Sequence, residues 1–120
     1  MIMQSYRDLI VWQKAIDYVE ICYRISENFP AKEVYGLTSQ LRRAAVSIPS
    51  NIAEGYGRET RGEYIHFLGI AKGSLKESET QIMIAERLNF ISNQDAQKAL
   101  IQAETVGKLL YALIKSLKQK

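Results

Sequence analysis

The chain has 120 residues, 47% hydrophobic and 24% charged, enough apolar material for one cored domain over residues 1–120 and too little chain for two. Its formal net charge of +3 is unevenly spread: residues 1–39 sum to −1, 40–76 to +3, 77–97 to −3 and 98–120 to +4, so basic segments that meet in the fold would attract a polyanion. Cys22 is the only cysteine, which permits no intrachain disulfide and no CxxC metal motif and fits a reducing cytosol. The opening stretch MIMQSYRDLIVWQKA meets Arg7, Asp8 and Lys14 too early for a signal peptide. No uncharged apolar run reaches the ~18 residues of a membrane span, so a cytoplasmic protein without membrane contact is expected.

Helical periodicity runs through nearly every window. It predicts an all-α, antiparallel up-and-down four-helix bundle with helices near 8–28, 37–55, 61–90 and 93–118. The first carries two apolar rows, Leu9, Trp12, Ile16, Val19, Tyr23 and Val11, Ala15, Tyr18, Cys22, Ile25, Phe29; Asn28, Phe29 and Pro30 stop it. The second follows Leu37, Leu41, Ala45, Ile48 and Ile52, with Gly55 and Gly57 as its stop. Pro49 within it cannot donate to the Ala45 carbonyl, which predicts a kink. Thr60 and Glu63 have capping-box spacing and open the third helix, whose row Tyr64, Leu68, Ala71, Leu75, Ser78, Ile82, Ala85 is widened by Phe67, Ile70, Ile84 and Leu88. Ser92 and Asp95 repeat the cap spacing before a fourth helix with Ala96, Ala99, Ala103, Val106, Leu110, Leu113 and Leu117 as its seam.

Three stretches resemble a known family: YRDLIVWQKA at 6–15, YGLTSQLRRAAVSIPSNIAEGYGR at 35–58 and EYIHFLGIAKGSLKESETQI at 63–82. They are similar to the bacterial four-helix-bundle proteins encoded in intervening sequences of 23S ribosomal RNA genes. The resemblance implies an antiparallel helical bundle of unknown function without known catalysis. Related accessory variability proteins of diversity-generating retroelements form basic pentamers that bind nucleic acid and a reverse transcriptase, which implies a homo-oligomer, a pentamer by that likeness, with RNA, DNA or a protein as partner.

The candidate nucleic-acid contacts are Arg42, Arg43, Arg58 and Arg61 around the second helix, Lys72 and Lys76 four apart on the third, and Lys98, Lys108 and Lys115 close to one row of the fourth, with no acid among them. Such rows supply charge for phosphates without reading bases; the alternative is a solvated face. Small residues Ala44, Ser47 and Ala53 around Pro49 suit close helix packing or an intersubunit seam. Asn51 and Glu54 could satisfy the carbonyl freed by Pro49 or pair across a subunit boundary with Arg58. Arg61 and His66 match the loose R-x4-H pattern of HEPN-type ribonucleases, which gives a rival, metal-independent enzyme reading with His66, on a half-buried edge, at the 2′-hydroxyl proton and Arg61 at the phosphate. The glycines of GYGRETRG at 55–62 lack the GxxxxGK[ST] pattern and a preceding strand, and one His with one Cys makes no first shell for a metal. No cofactor is expected. Gly69 and Gly73 read as sites of tight helix packing.

Overall fold

The computed structural model describes residues 4–120; residues 1–3, the start of the stretch weighed as a leader, lie outside the described residues. The first helix begins later than its apolar pattern because the chain enters through a capped 3-10 turn, Tyr6–Asp8. There the Arg7 amide donates to Ser5 Oγ at 3.0 Å and Asp8 Oδ2 accepts from the Ser5 amide at 3.3 Å. Helix α1 then spans Ile10–Ser26, α2 Leu37–Tyr56, α3 Arg61–Arg87 and α4 Asn93–Lys118, with a second 3-10 turn at Ala31–Glu33; no strand occurs among the described residues.

The caps act where the sequence placed them. Thr60 Oγ1 accepts from the Glu63 amide and Ser92 Oγ from the Asp95 amide, each at 3.1 Å, satisfying donors the helices leave free. Helix α3 ends at Arg87 rather than near Phe90 because Asn89 takes a left-handed φ of 62°. The Phe90 amide then reaches back to the Ala85 carbonyl and the Asn89 amide to that of Glu86, the Schellman arrangement that terminates a helix.

Helix α1 packs on α2 and α4, and α3 packs on the same two, which produces a four-helix ring 45 × 24 × 22 Å across. Ser47 meets Ser74 and Tyr56 meets Tyr64, so residue numbers fall along α3 as they rise along α2. One row of each helix fills the interior: Ala15, Tyr18 and Cys22, then Leu41, Ala45, Ile48 and Ile52, then Leu68, Ala71 and Ile82, then Ala99, Ala103, Val106 and Leu110, all fully buried. Ser78 Oγ donates to the Leu75 carbonyl at 2.7 Å. It has no second proton, so the buried Tyr18 hydroxyl must donate to Ser78 Oγ, also at 2.7 Å.

Several expected faces differ. The Leu9–Tyr23 row of α1 is not a second buried row, because Ile16 and Tyr23 face solvent. Ile70 and Ile84 of α3, and Leu88 at its C-terminal cap, do not widen the core but are exposed. Gly55 is no helix stop; it lies buried inside α2, where an added Cβ would come within 2.9 Å of Phe67 Cβ and 3.1 Å of the Tyr64 carbonyl. Gly69 and Gly73, expected at a tight contact, have open space beside them. Helix α2 is continuous through Pro49, whose ring is buried.

The Gly55 geometry yields a stability test. Gly55→Ala pushes on atoms fixed to the α3 backbone and should destabilise by about 1–3 kcal/mol. Gly107→Ala meets only the far end of Leu75 at 3.4 Å and should be neutral or gain up to about 1 kcal/mol from helix propensity. Urea midpoints decide it; a Gly55→Ala variant as stable as the parent would refute the close α2–α3 approach.

Candidate nucleic-acid interface

The nine basic candidates separate once their partners are known. Arg42 Nε donates to Ser26 Oγ at 2.9 Å and its Nη2 to the Tyr23 carbonyl at 3.3 Å, while its guanidinium lies 4.6 Å from the Tyr23 ring centre. It therefore ties α2 to the last turn of α1, whose carbonyls carry the negative end of the helix dipole. Arg58 sits 4.6 Å over the Phe67 ring and 3.6 Å from Glu54. Arg61 donates to the Lys120 carbonyl at 2.7 Å. Arg43 is exposed and lines a shallow recess with Tyr23, Val34 and Val46.

The lysines fall into two places. Lys98 lines a recess with Ile21 and Ile101 between α1 and α4. Lys72, Lys76 and Lys108 line a groove of about 460 Å³ between α3 and α4, and Lys72 and Lys115 line a smaller recess of about 280 Å³ at the end of α4. The fourth-helix lysines thus do not share one row. At about 100° per residue, the ten positions from Lys98 to Lys108 leave them about 80° apart around the axis. Nor are they free of acids: Lys108 Nζ lies 3.4 Å from Glu104; on α3, Lys76 Nζ lies 3.2 Å from Glu79 Oε1 without hydrogen-bond alignment. Lys72 and Lys115 have no ion-pair partner among the described residues. Lys118, which the sequence reading passed over, joins them in the smaller recess, as does Tyr111.

The structural candidates make contacts within one subunit. Ala44 and Pro49 are buried and Ala53 is half-buried. Ser47 Oγ bonds Ser74 Oγ at 2.9 Å, and Asn51 Nδ2 donates to the Ser47 carbonyl at 2.8 Å and to its hydroxyl at 2.9 Å. Asn51 thus serves Ser47, not the carbonyl freed by Pro49, and Glu54 pairs with Arg58 of its own chain.

Arg61 and His66 do not converge. Five residues along a helix place them about 140° apart around the axis, and the Arg61 guanidinium is turned to the end of α4. His66 is exposed rather than on the half-buried edge expected of it, edge-on to Phe67 with ring centres 5.6 Å apart. Cys22 offers no nucleophile, since burial pushes its thiol up to about 12 and keeps it protonated at neutral pH.

A family model described as 23S rRNA-intervening sequence protein matches residues 7–112. The chain belongs to this family. The crystal structure of a protein of unknown function from the S23 ribosomal protein family of Bacteroides thetaiotaomicron VPI-5482 is similar in fold, with a TM-score of 0.80 and 23% identity over 88% of this chain and 99% of that one. No curated protein matches. As a family member the chain keeps the helical bundle, and no described helix is long and apolar enough to cross a membrane.

The split between engaged and free arginines predicts different mutant behaviour. Arg42→Ala removes hydrogen bonds to α1 and should cost about 1 kcal/mol, whereas Arg43→Ala should stay within about 0.5 kcal/mol of the parent. Equal denaturation midpoints for the two variants would contradict the tethering role of Arg42.

Proposed function

We propose that this family member is a non-enzymatic, self-associating helical bundle that holds nucleic acid along the basic groove between α3 and α4. The observation that carries the reading is that Lys72, Lys76 and Lys108 line the groove between α3 and α4, while Lys72 also lines, with Lys115 and Lys118, a recess that shares Lys72 and Tyr111 with it. Ammonium groups so placed contact phosphates as point charges, so binding is electrostatic and indifferent to sequence. A nucleic-acid enzyme bound through the same strand is the matching protein partner.

Self-association is supported by what α3 leaves uncovered. Ile70, Ile84 and Leu88 are 40%, 43% and 55% exposed, and Gly62, Gly69 and Gly73 on the same helix have nothing within 4 Å of the space a Cβ would fill. Each helical glycine costs about 1 kcal/mol relative to alanine, and no contact inside the subunit accounts for these three. A second copy seated on this face would use both the apolar side chains and the room beside them. A closed ring repeats such a contact without a free edge; the number five rests on the likeness to the pentameric accessory variability proteins.

Two measurements test the proposal. In filter binding of mixed-sequence RNA, log affinity should fall linearly with log salt, and replacing Lys72, Lys115 and Lys118 together by Gln should flatten that slope by about 2, roughly 0.7 per phosphate contact on a single strand. No binding at low salt rejects the interface. Light scattering should give a multiple of the 13.7 kDa chain mass that collapses in Ile84→Glu. A parent mass at the single-chain value would reject the assembly.

A further inference from the structure

The groove is not electrically uniform. In its wider part, Lys76 and Lys108 stand beside Glu79 and Glu104, so the local charge nearly cancels. The smaller recess is lined by Lys72, Tyr111, Ile114, Lys115, Lys118 and Gln119, without an acid. Lys115 and Lys118 lie in the last turn of α4, where cations also complement the helix dipole. That accounts for two of the three charges. Lys72 sits mid-way along α3, far from either terminus of its helix, and the dipole gives no reason for it.

Tyr111 supplies the second feature. Its neighbour Leu110 is fully buried, while Tyr111 is 61% exposed, makes no hydrogen bond among the described side chains, and with Lys72 lines both parts of the groove. Ile114, half-buried, forms an apolar floor next to it. An exposed aromatic ring beside half-buried Ile114, with Lys72, Lys115 and Lys118 on the recess side and the paired Lys108 and Glu104 on the groove side, matches a planar base whose flanking phosphates lie over the recess. A duplex hides its bases, and an acidic peptide or anionic bilayer would use the charges but not require the ring face.

We propose that this recess takes one unstacked base of a single-stranded nucleic acid on the Tyr111 ring, with Lys72, Lys115 and Lys118 holding the flanking phosphates. The assignment rests on the polyanion-binding reading above and names the strand form that site prefers. Tyr111 is then the contact that separates single strand from duplex, while the lysines set affinity for either.

The test is fluorescence anisotropy with a short single-stranded RNA, its duplex, and an abasic strand with the same number of phosphates. The full-length protein should bind the single strand more tightly than the other two. Tyr111→Ala should weaken single-strand binding about tenfold, the scale of one base–aromatic stack, and leave the abasic strand unaffected; Tyr111→Phe, which keeps the ring, should behave as the parent. The combined Lys72, Lys115, Lys118→Gln variant should weaken all three ligands. Salt-sensitive binding that is equal for base-bearing and abasic strands, or unmoved in Tyr111→Ala, overturns the stacking role while leaving polyanion binding intact. Binding to anionic vesicles that drops in Tyr111→Ala as much as RNA binding does would also overturn it. Failure of the parent to bind any strand at low salt removes the underlying reading instead.

Discussion

The contact of α2 with α3 at Gly55 is the constraint from which the useful surfaces follow. Because no side chain separates the helices there, Phe67 and Tyr64 press against the α2 backbone. The four residues from Gly57 to Thr60 leave α3 little freedom to slide. The register continues through Ser47 and Ser74, and Asn51 holds Ser47 from the same side. Fixing α3 about its own axis in this way turns Leu75 towards Gly107 of α4 and sets Lys72 and Lys76 on the lip of the groove between them. A bulkier residue at Gly55 would not merely strain a contact; it would rotate or lift the helix that presents those lysines.

Charge along the chain is a poor guide to charge on the surface, and the arginines show why. Arg42, Arg58 and Arg61 each find a carbonyl, a ring or a carboxylate inside the same subunit. A guanidinium that is already hydrogen-bonded must give up those partners to meet a phosphate, so its attraction for an incoming ligand is offset. An exposed lysine pair such as Lys108 with Glu104 contributes little to stability, yet it also screens the groove locally. Among the groove and recess lysines, what remains after these subtractions is Lys72, Lys115 and Lys118, which come from the neighbouring helices α3 and α4, Lys72 standing more than forty positions before the other two in sequence.

Much of the fold was legible, because caps and seams are local. Thr60 with Glu63, Ser92 with Asp95, and the row from Ala96 to Leu117 are decided by residues three and four apart, and the structure keeps them. The errors came where a decision depends on a neighbouring helix. Apolar residues beside a seam, such as Ile16 or Ile84, read as buried until one knows that the ring of four helices leaves no partner on that side. Glycines were misread in both directions: Gly55 marked contact, not termination, while Gly69 and Gly73 marked open surface. The Lys98, Lys108, Lys115 row failed at its first step, since ten residues fall about 80° short of three full turns at the 3.6-residue repeat, whereas the seven from Lys108 to Lys115 nearly complete two. Tyr111 did carry a sequence signal. It stands one position past a seam leucine, about 100° off the core direction, which places it at the surface.

A net charge of +3 per chain is weak for a protein that would hold a polyanion in solution, and the proposed assembly bears directly on that weakness. Field strength at a surface depends on the spacing of charges rather than on their sum, and the Debye length of about 8 Å at physiological salt limits which lysines act together. Lysines lining one recess fall within reach of each other; Lys98, on the other side of α4, does not join them. Subunits joined through the outer face of α3 would each bring such a recess to the assembly. A single flexible strand could then engage several in turn, with each further contact made at the high effective concentration set by the strand already held. Modest charge on one subunit would become strong retention on the assembly, and the same geometry would favour a strand that can bend from recess to recess over a stiff duplex.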